Sequence, residues 1–332
     1  MDIADRAYGV LAGLALGDAA GMPFEMLNRE KIKALTKDEQ LFYQIPEDHF
    51  LDRELTRAEV TDDTLLTLHL ANFLIDNHAN LSKDDYYYSL AHFIKDKQLI
   101  EKGIIGPSTT KTVKKILQNE NFSLGERAGF SSGLPMKITP LGIIYSDKQA
   151  DKILAVIEEI AYYSHYTDTA LSAAAGVAAF ISAALSGKEY QNIIEFSFKL
   201  MEKAEKLALK TFQPSTFKRT EFLFSYLQKY SSQEKALDFI SQVMGTGINS
   251  YEVVPAALAV FDLYLGQPIK AIKKSIALGG DTDTITAILG SFIGAYYGID
   301  VFETEWLQLL NQVNDNLELK ETANLLLELR EL

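Results

Sequence analysis

Four aspartates in two close pairs are the residues of this chain best suited to chemistry. Residues 61–64 read Thr-Asp-Asp-Thr and residues 279–284 read Gly-Gly-Asp-Thr-Asp-Thr, and an apolar helical pattern follows each. Thr61 and Asp281 look like helix N-caps with acidic residues in the first turn. Capping accounts for any single aspartate here, but it accounts less well for four carboxylates in two close pairs. Buried like charges about 4 Å apart repel by about 4 kcal/mol at an effective dielectric constant of 20. If the pairs meet in space, we favour bound cations over paired caps.

The available ligand atoms predict a hard metal ion. Carboxylates and the neighbouring threonine hydroxyls suit Mg²⁺, with Mn²⁺ as a possible substitute. The chain has no Cys, only five His and neither a His-x-x-x-His nor a His-Glu-x-x-His pattern, so zinc and non-haem iron are poor candidates. Two carboxylate pairs could bridge a binuclear centre, which can bind a diol or a phosphate and activate water.

Other segments could contribute further side chains. Glu25 follows a small-residue helical segment, residues 13–21, and could orient water, although a surface glutamate after a glycine-terminated helix is the simpler interpretation. The loops 103–110 and 129–142 offer glycine backbone and hydroxyls suited to phosphate, although an ordinary surface loop explains each one. His165 precedes an alanine-rich helical stretch, and structural and ligand-binding roles are equally open for it. The other four histidines are interpreted as structural.

The elements that hold these residues are predicted to be helices. Apolar side chains recur with helical spacing, for example over residues 65–75, 153–160 and 253–261, whereas period-two runs are scarce. Glycine and proline cluster between these stretches. The pattern favours one compact all-α domain over residues 1–332, in which segment 190–230 is a possible peripheral addition without an assigned role.

Composition excludes several classes of function. The 332 residues include 32 basic and 45 acidic side chains, and the net charge of −13 argues against nucleic acid or an anionic membrane as the main partner. Residues 169–187 are uncharged, but their Ala, Ser and Gly content predicts a buried helix rather than a membrane span. The absence of Cys excludes thiolate chemistry. Together with an acidic N-terminus that makes a poor secretory signal, it predicts a cytoplasmic location.

Taken in order, these motifs resemble the ADP-ribosylglycohydrolase family. That family includes the dinitrogenase-reductase-activating glycohydrolase and the ADP-ribosylarginine and ADP-ribosylserine hydrolases. The resemblance extends from Leu11 to Gly298. Its strongest matches are residues 17–25, 61–64 and 279–284, and its weaker matches are residues 133–142, 165–168 and 253–258.

The resemblance implies an all-α fold with a binuclear Mg²⁺ centre and a set of site residues. Its implied metal ligands are Thr61, Asp62, Asp63, Asp281, Asp283 and Thr284. Its implied catalytic residues are Glu25, Asp62, Asp63 and Asp283, and its implied contacts to ADP-ribose, above all to the phosphates, are Ser131, Ser132, Gly133 and His165. The implied reaction is hydrolysis of the glycosidic bond between ADP-ribose and an acceptor. An ADP-ribosylated protein is the favoured substrate, with arginine as its linkage, and an ADP-ribose-containing small molecule is the alternative.

The chain departs from the family pattern on the substrate side. Ser132 stands where the family usually has Asn, Lys137 where it usually has Arg, and Ile104 where many members carry Asp. These departures leave the metal ligands intact and bear on the choice of acceptor. Two other interpretations stay open: a metal-dependent phosphohydrolase acting on a nucleotide, and a non-catalytic ADP-ribose-binding or structural protein.

Overall fold

A computed structural model describes residues 2–37, 40–49, 51, 55–227, 229–230, 232–315 and 317–330. Within these ranges the chain forms sixteen α-helices and no strands, which confirms the predicted all-α class. The helices are α1 (Ile3–Gly21), α2 (Arg29–Leu35), α3 (Asp62–Asp76), α4 (Lys83–Asp96), α5 (Pro107–Leu117), α6 (Thr139–Ile144), α7 (Ala150–Ala161), α8 (Asp168–Leu185), α9 (Tyr190–Ala204), α10 (Thr216–Leu227), α11 (Gln233–Phe239), α12 (Ser250–Leu263), α13 (Pro268–Ile276), α14 (Thr282–Tyr297), α15 (Thr304–Val313) and α16 (Leu319–Glu328). Short 3-10 turns lie at Met22–Phe24, Gly125–Arg127, Pro135–Lys137, Asp147–Gln149 and Ile299–Val301, and a π-helical turn at Ile240–Met244.

Two helices, α1 and α14, touch backbone to backbone in the core. A Cβ atom placed on Gly13 would lie 2.1 Å from the carbonyl oxygen of Gly290, and one on Gly290 would lie 1.9 Å from that of Gly13. Small residues facing each other at four-residue intervals allow this approach, and the pairs are Gly9–Gly294, Gly13–Gly290, Gly17–Thr286 and Gly21–Thr282. Numbers rise along α1 as they fall along α14, so the pair is antiparallel. The end of α1 therefore meets the start of α14.

The alanine-rich helix α8 lies in the middle of the molecule. All of its residues are buried, and it packs against α9, α6 and α14. It is long and apolar enough to cross a membrane, but the rest of the protein covers it. The bent pair of α1 with α2 also passes that test of length and composition, and α1 is likewise a core helix. The prediction of a buried helix at residues 169–187 agrees with this packing.

Segment 190–230 forms α9 and α10, which both pack on the core. Helix α9 lies against α8, and α10 lies against α12. From α10, the Arg219 side chain donates hydrogen bonds to the carbonyl oxygens of Met244 and Tyr251. These two carbonyls bracket loop 245–250, so the segment braces a loop that reaches the site described next.

Candidate active site

A cleft of about 670 Å³ opens where the end of α1 meets the starts of α3 and α14. It brings together most of the residues singled out in the sequence, namely Glu25, Asp62, Asp63, Ser131, Ser132, Gly133, Asp281, Asp283 and Thr284. The other two, Thr61 and His165, are completely buried. They lie behind the wall of the cleft and reach it through neighbouring side chains. The two aspartate pairs, some 220 positions apart in the chain, thus meet in space, which is the condition for a shared cation site and is what the family resemblance implies.

The acidic side chains form one buried cluster. Carboxylate oxygens of Glu25, Asp281 and Asp283 lie within 4.8 Å of one another. The Thr284 hydroxyl lies 3.3 Å from Oδ2 of Asp63 and joins the two pairs. Oδ1 of Asp63 and Oδ2 of Asp281 are buried without a hydrogen-bond partner. Buried carboxylate oxygens rarely lack a partner in folded proteins, so this pair of oxygens marks a place suited to a cation.

The electrostatics of the cluster point the same way. Burial raises the pKa of Asp63 well above its usual value, and the charges of Asp283, Asp18 and Asp62 raise it further. Burial, reinforced by the charge of Glu25, raises the pKa of Asp281 to about 7. The protein alone therefore disfavours the ionised form of these carboxyls, and a bound cation would favour it.

One buried carboxylate, Asp18, fixes the start of α3. Its oxygens accept hydrogen bonds from the backbone N–H groups of Thr61 (2.9 Å) and Thr64 (3.1 Å). They also accept from the hydroxyls of Thr61 (2.8 Å) and Thr64 (2.5 Å). These donors stabilise the ionised carboxylate against the burial that raises its pKa. The predicted N-cap at Thr61 is confirmed, because its hydroxyl also accepts from the N–H of Asp63 at 3.4 Å.

Backbone groups fix the start of α14. The N–H of Asp281 donates to the carbonyl of Thr246 (2.7 Å), and the N–H of Gly280 donates to that of Leu27 (3.0 Å). The carbonyl of Gly280 in turn accepts from the N–H of Met26 at 2.6 Å. Asp281 occupies the predicted N-cap position, but its side chain makes no capping hydrogen bond. Its carboxylate is therefore directed into the cluster.

Glu25 is held by its backbone. The Nδ1 atom of His49 accepts from the N–H of Leu51 at 3.0 Å, so the proton of the neutral imidazole is on Nε2. That Nε2 atom lies 3.0 Å from the carbonyl oxygen of Glu25 and donates to it. His49 therefore positions the turn that carries the glutamate, a role that its sequence context did not indicate.

The glycine-containing loop 129–133 forms the adjacent wall. Ser131 hydrogen-bonds to Nε2 of His165 at 2.9 Å. The Ser132 side chain faces the carboxylate of Asp281 and helps to lower its pKa. A Cβ atom on Gly133 would lie 3.0 Å from Cε1 of His165, so the glycine allows the loop to pack directly on the imidazole. His165 thus acts on the cleft through this loop.

Lys137, one of the departures from the family pattern, is a buried cation behind the site. It is 1% exposed, and burial lowers its pKa to about 8 while the charge of Asp62 opposes this shift. Its positive charge also contributes to the low pKa values of His69 and His165. It therefore offsets part of the negative charge of the cluster.

Besides His49, two other contributors to the site were missed in the sequence. Asp18 was noted only as part of a motif, although it is the single charged residue between Arg6 and Glu25 in an otherwise apolar segment. A lone charge in such a segment is the signal that could have identified it, because a buried charge requires partners. Loop 245–250, which contacts both Asp281 and Ser132, carries no comparable signal.

Comparisons with known proteins agree with this geometry. The family model described as ADP-ribosylglycohydrolase matches residues 1–332. A protein of Escherichia coli (strain K12) named "Uncharacterized protein YegU" is 28% identical over 93% of this chain and 93% of its own length. Human "ADP-ribosylhydrolase ARH3" is 25% identical over 91% of this chain and 88% of its own length. A solved structure, "ADP-ribosylglycohydrolase-related protein complex", shares the fold with a TM-score of 0.68 at 20% identity, covering 99% of both chains.

Proposed function

The chain belongs to the ADP-ribosylglycohydrolase family, and we propose that it is a metal-dependent glycohydrolase that releases ADP-ribose from an ADP-ribosylated protein side chain. The observation that carries the proposal is the buried acidic cluster with two unpartnered carboxylate oxygens at the end of a cleft. The cleft volume of about 670 Å³ lies in the usual range for small-molecule sites. The catalytic role of Glu25, Asp62, Asp63 and Asp283 stays a prediction.

The donor set fits two Mg²⁺ ions. The ligands would come from the start of α3 and the start of α14, and they are Thr61, Asp62, Asp63, Asp281, Asp283 and Thr284. Thr61 gives its hydroxyl proton to Asp18, which leaves an oxygen lone pair for a cation. When bound, such ions hold vicinal hydroxyls of a sugar and lower the pKa of water. No Cys or His lies among these ligands, which favours Mg²⁺ over zinc.

The protein side chains would position and activate the reactants. Glu25 is 9% exposed at the cleft, beside Asp281 and Asp283, where it would accept a proton from an attacking water. The carboxylates around it would stabilise positive charge developing on the sugar ring. Asp18 and His49 would keep these groups in place, since each bonds to the backbone that carries them.

Arginine is the favoured acceptor on electrostatic grounds. The cleft is lined by six acidic residues, Glu25, Asp62, Asp63, Glu126, Asp281 and Asp283, and by one basic residue, Lys111. Two bound Mg²⁺ ions would carry four positive charges against the five carboxylates other than Glu126, so the inner cleft would keep a net charge of about −1. Glu126 is paired with Lys111 and Lys115 and does not add to it. An acidic lining attracts a cationic guanidinium more than a neutral serine side chain.

Product analysis tests the proposal. Arginine- and serine-ADP-ribosylated proteins would be incubated with the enzyme in Mg²⁺ and in EDTA. We expect intact ADP-ribose from the arginine linkage in Mg²⁺ alone. Release of AMP would indicate a phosphohydrolase, and binding of ADP-ribose without turnover of either substrate would indicate a reader. Release only from serine would correct the acceptor and leave the reaction standing.

A double variant tests the metal ligands. Asp62→Asn with Asp63→Asn should reduce turnover by at least three orders of magnitude while the helical content is retained. The matched control is Asp76→Asn, an exposed aspartate at the far end of the same helix, and it should have wild-type activity. Wild-type turnover by the double variant would show that the metal site has been placed wrongly.

A further inference from the structure

A chain of hydrogen bonds runs from the wall of the cleft into the core. Ser131 Oγ lies 2.9 Å from Nε2 of His165, and Nδ1 of His165 lies 2.8 Å from Oγ of Ser164. Ser164 Oγ lies 2.7 Å from the hydroxyl of Tyr87, which lies 2.6 Å from the carbonyl oxygen of Ile160. Four side chains are thus connected in series. Ser131 and the buried Ser164 both line the cleft, and Ser131 is the one of the four that is partly exposed.

The direction of every proton in this chain follows from its last member. A carbonyl oxygen accepts only, so Tyr87 donates to Ile160. The Tyr87 hydroxyl has one proton, and burial raises its pKa, so it stays protonated and accepts from Ser164. The single hydroxyl proton of Ser164 is therefore donated to Tyr87, and Ser164 accepts a hydrogen bond from Nδ1–H of His165.

His165 passes this direction on to the cleft. The imidazole is completely buried, and burial, reinforced by the charge of Lys137, lowers its pKa to about 3. A neutral imidazole with its proton on Nδ1 has a lone pair on Nε2. Ser131 therefore donates its hydroxyl proton inward to Nε2, and its oxygen lone pairs are left facing the cleft.

The neighbouring donors of the loop are also committed to the protein. The Ser132 side chain faces the carboxylate of Asp281 and helps to stabilise its ionised form. Its backbone N–H donates to the carbonyl of Ile248 at 2.8 Å, and the N–H of Gly129 donates to that of Ser164 at 3.0 Å. A phosphate at pH 7 accepts hydrogen bonds and has little to donate. The serine side chains of this loop are consequently mismatched to a phosphate.

We infer that Ser131 recognises a hydrogen-bond donor of the ligand, a ribose hydroxyl, rather than the diphosphate. The inference rests on the proposed function for the identity of the ligand, but the order of protons depends only on this chain. The resemblance to the family places loop 131–133 on the phosphates. The proton order leaves that task to backbone groups and assigns the Ser131 side chain to a sugar.

The proton order can be measured on the free protein. Long-range ¹H–¹⁵N correlation spectra of protein labelled in histidine distinguish the two neutral tautomers of each ring. The His165 signals are those that shift in Ser131→Ala and not in the control Ser225→Ala, an exposed serine on α10. We expect His165 to stay neutral with its proton on Nδ1 from pH 5 to 8. A proton on Nε2 would overturn the inference, whatever the enzyme's substrate is.

Calorimetry with ADP-ribose analogues that each lack one ribose hydroxyl tests the ligand side. In Mg²⁺, Ser131→Ala should weaken binding of ADP-ribose by about 3- to 10-fold, as expected for one neutral hydrogen bond. For one analogue, the one that lacks the recognised hydroxyl, the substitution should cause no further loss. Ser225→Ala should bind every ligand as the wild type does. The same loss against every analogue would overturn the inference.

The two failures are distinguishable. If wild-type protein binds no ADP-ribose at all, the proposed function is wrong, and so is the assignment of a ribose hydroxyl as the group that Ser131 recognises. The tautomer spectrum still reports the proton order in that case. If ADP-ribose binds and is released from substrate but no analogue is insensitive to Ser131→Ala, only the inference fails.

Discussion

The start of α3 and the start of α14 carry the two halves of the acidic cluster, and they are held in different ways. At α3, one side chain, Asp18, accepts four hydrogen bonds from Thr61 and Thr64. At α14, backbone carbonyls hold Asp281 and Gly280, and α1 approaches so closely that no side chain fits between the helices. The first arrangement depends on polar atoms that are present, and the second depends on side chains that are absent.

This difference tells where each half is vulnerable. Removing a buried acceptor leaves several donors unsatisfied, so the α3 half should fail when atoms are deleted. Adding a methyl group to a tight backbone contact forces the helices apart, so the α14 half should fail when atoms are added. Four substitutions test this contrast.

Asp18→Ala should have the largest effect. It leaves two buried N–H groups and two buried hydroxyls at the start of α3 without their acceptor, and we expect a loss of about 4 kcal/mol in the free energy of unfolding. Asp18→Asn keeps one acceptor oxygen, so its free energy of unfolding should lie between those of the wild type and Asp18→Ala. Urea denaturation measures both, with Asp5→Ala, an exposed position on the same helix, as control. Equal midpoints for Asp18→Ala and Asp5→Ala would contradict this account of α3.

Gly290→Ala should come next. The added Cβ would lie 1.9 Å from the carbonyl oxygen of Gly13, and both atoms belong to rigid helical backbone, so α1 and α14 must separate. We expect a loss of about 3 kcal/mol together with reduced activity, because Glu25 follows α1 after one 3-10 turn and Asp283 lies in the first turn of α14. The control is Gly125→Ala, where a Cβ meets nothing within 4 Å. A thermal midpoint unchanged from wild type would show that the contact can relax.

Asn314→Ala tests a second side-chain support of the α3 half. From beyond α15, the Asn314 amide accepts from the N–H of Val60 at 2.9 Å and donates to the carbonyl of Ala58 at 2.8 Å. Ala58 has a φ of 67°, a left-handed conformation that alanine rarely adopts without such support. We expect a loss of about 2 kcal/mol, measured by urea denaturation. The exposed Asn72→Ala on α3 should change stability by less than 0.5 kcal/mol.

The sequence predicted the elements of this site better than their supports. The all-α class and the two acidic N-termini follow from local patterns, since a helix start places its first-turn carboxylates at one end. Glu25 and loop 131–133 were assigned to the site by the family resemblance, because each has a simpler interpretation when taken alone. Small residues along α1 were noticed, but their four-residue register with those of α14 shows only when both helices are compared. The roles of Asp18, His49 and Asn314 depend on contacts between distant parts of the chain. No local pattern encodes such contacts.

The burial of His165 shows the same limit within the site. The sequence indicates a histidine at the entry to a core helix, and the resemblance places it in the ligand cleft. The structure places the imidazole behind Ser131, with both nitrogens bonded to protein hydroxyls. A side chain that lines the cleft can touch a ligand, whereas one that lies a single side chain deeper acts through its neighbour. Sequence spacing does not resolve such a displacement.

Asp281→Asn should have the smallest effect, and its sign should be opposite to that of Asp18→Ala. Burial and Glu25 raise the pKa of Asp281 to about 7 in the folded, metal-free protein, above the value of an exposed aspartate. Between pH 4 and 7 the folded state therefore binds more protons than the unfolded state, and stability falls as the pH rises. Above pH 7 the full penalty is present, because the folded protein must then hold the ionised carboxylate beside Glu25 and Asp283.

In EDTA at pH 8, Asp281→Asn should consequently stabilise the protein by about 1 kcal/mol, and at pH 4.5 it should have little effect. Adding Mg²⁺ should reverse the order at pH 8, because a bound cation stabilises the wild type and has lost a ligand in the variant. Thermal midpoints at the two pH values, with and without Mg²⁺, measure all of these differences. A variant less stable than wild type at pH 8 in EDTA would mean that Asp281 contributes hydrogen bonds to the α14 half worth more than the repulsion it feels, as Asp18 does in the α3 half.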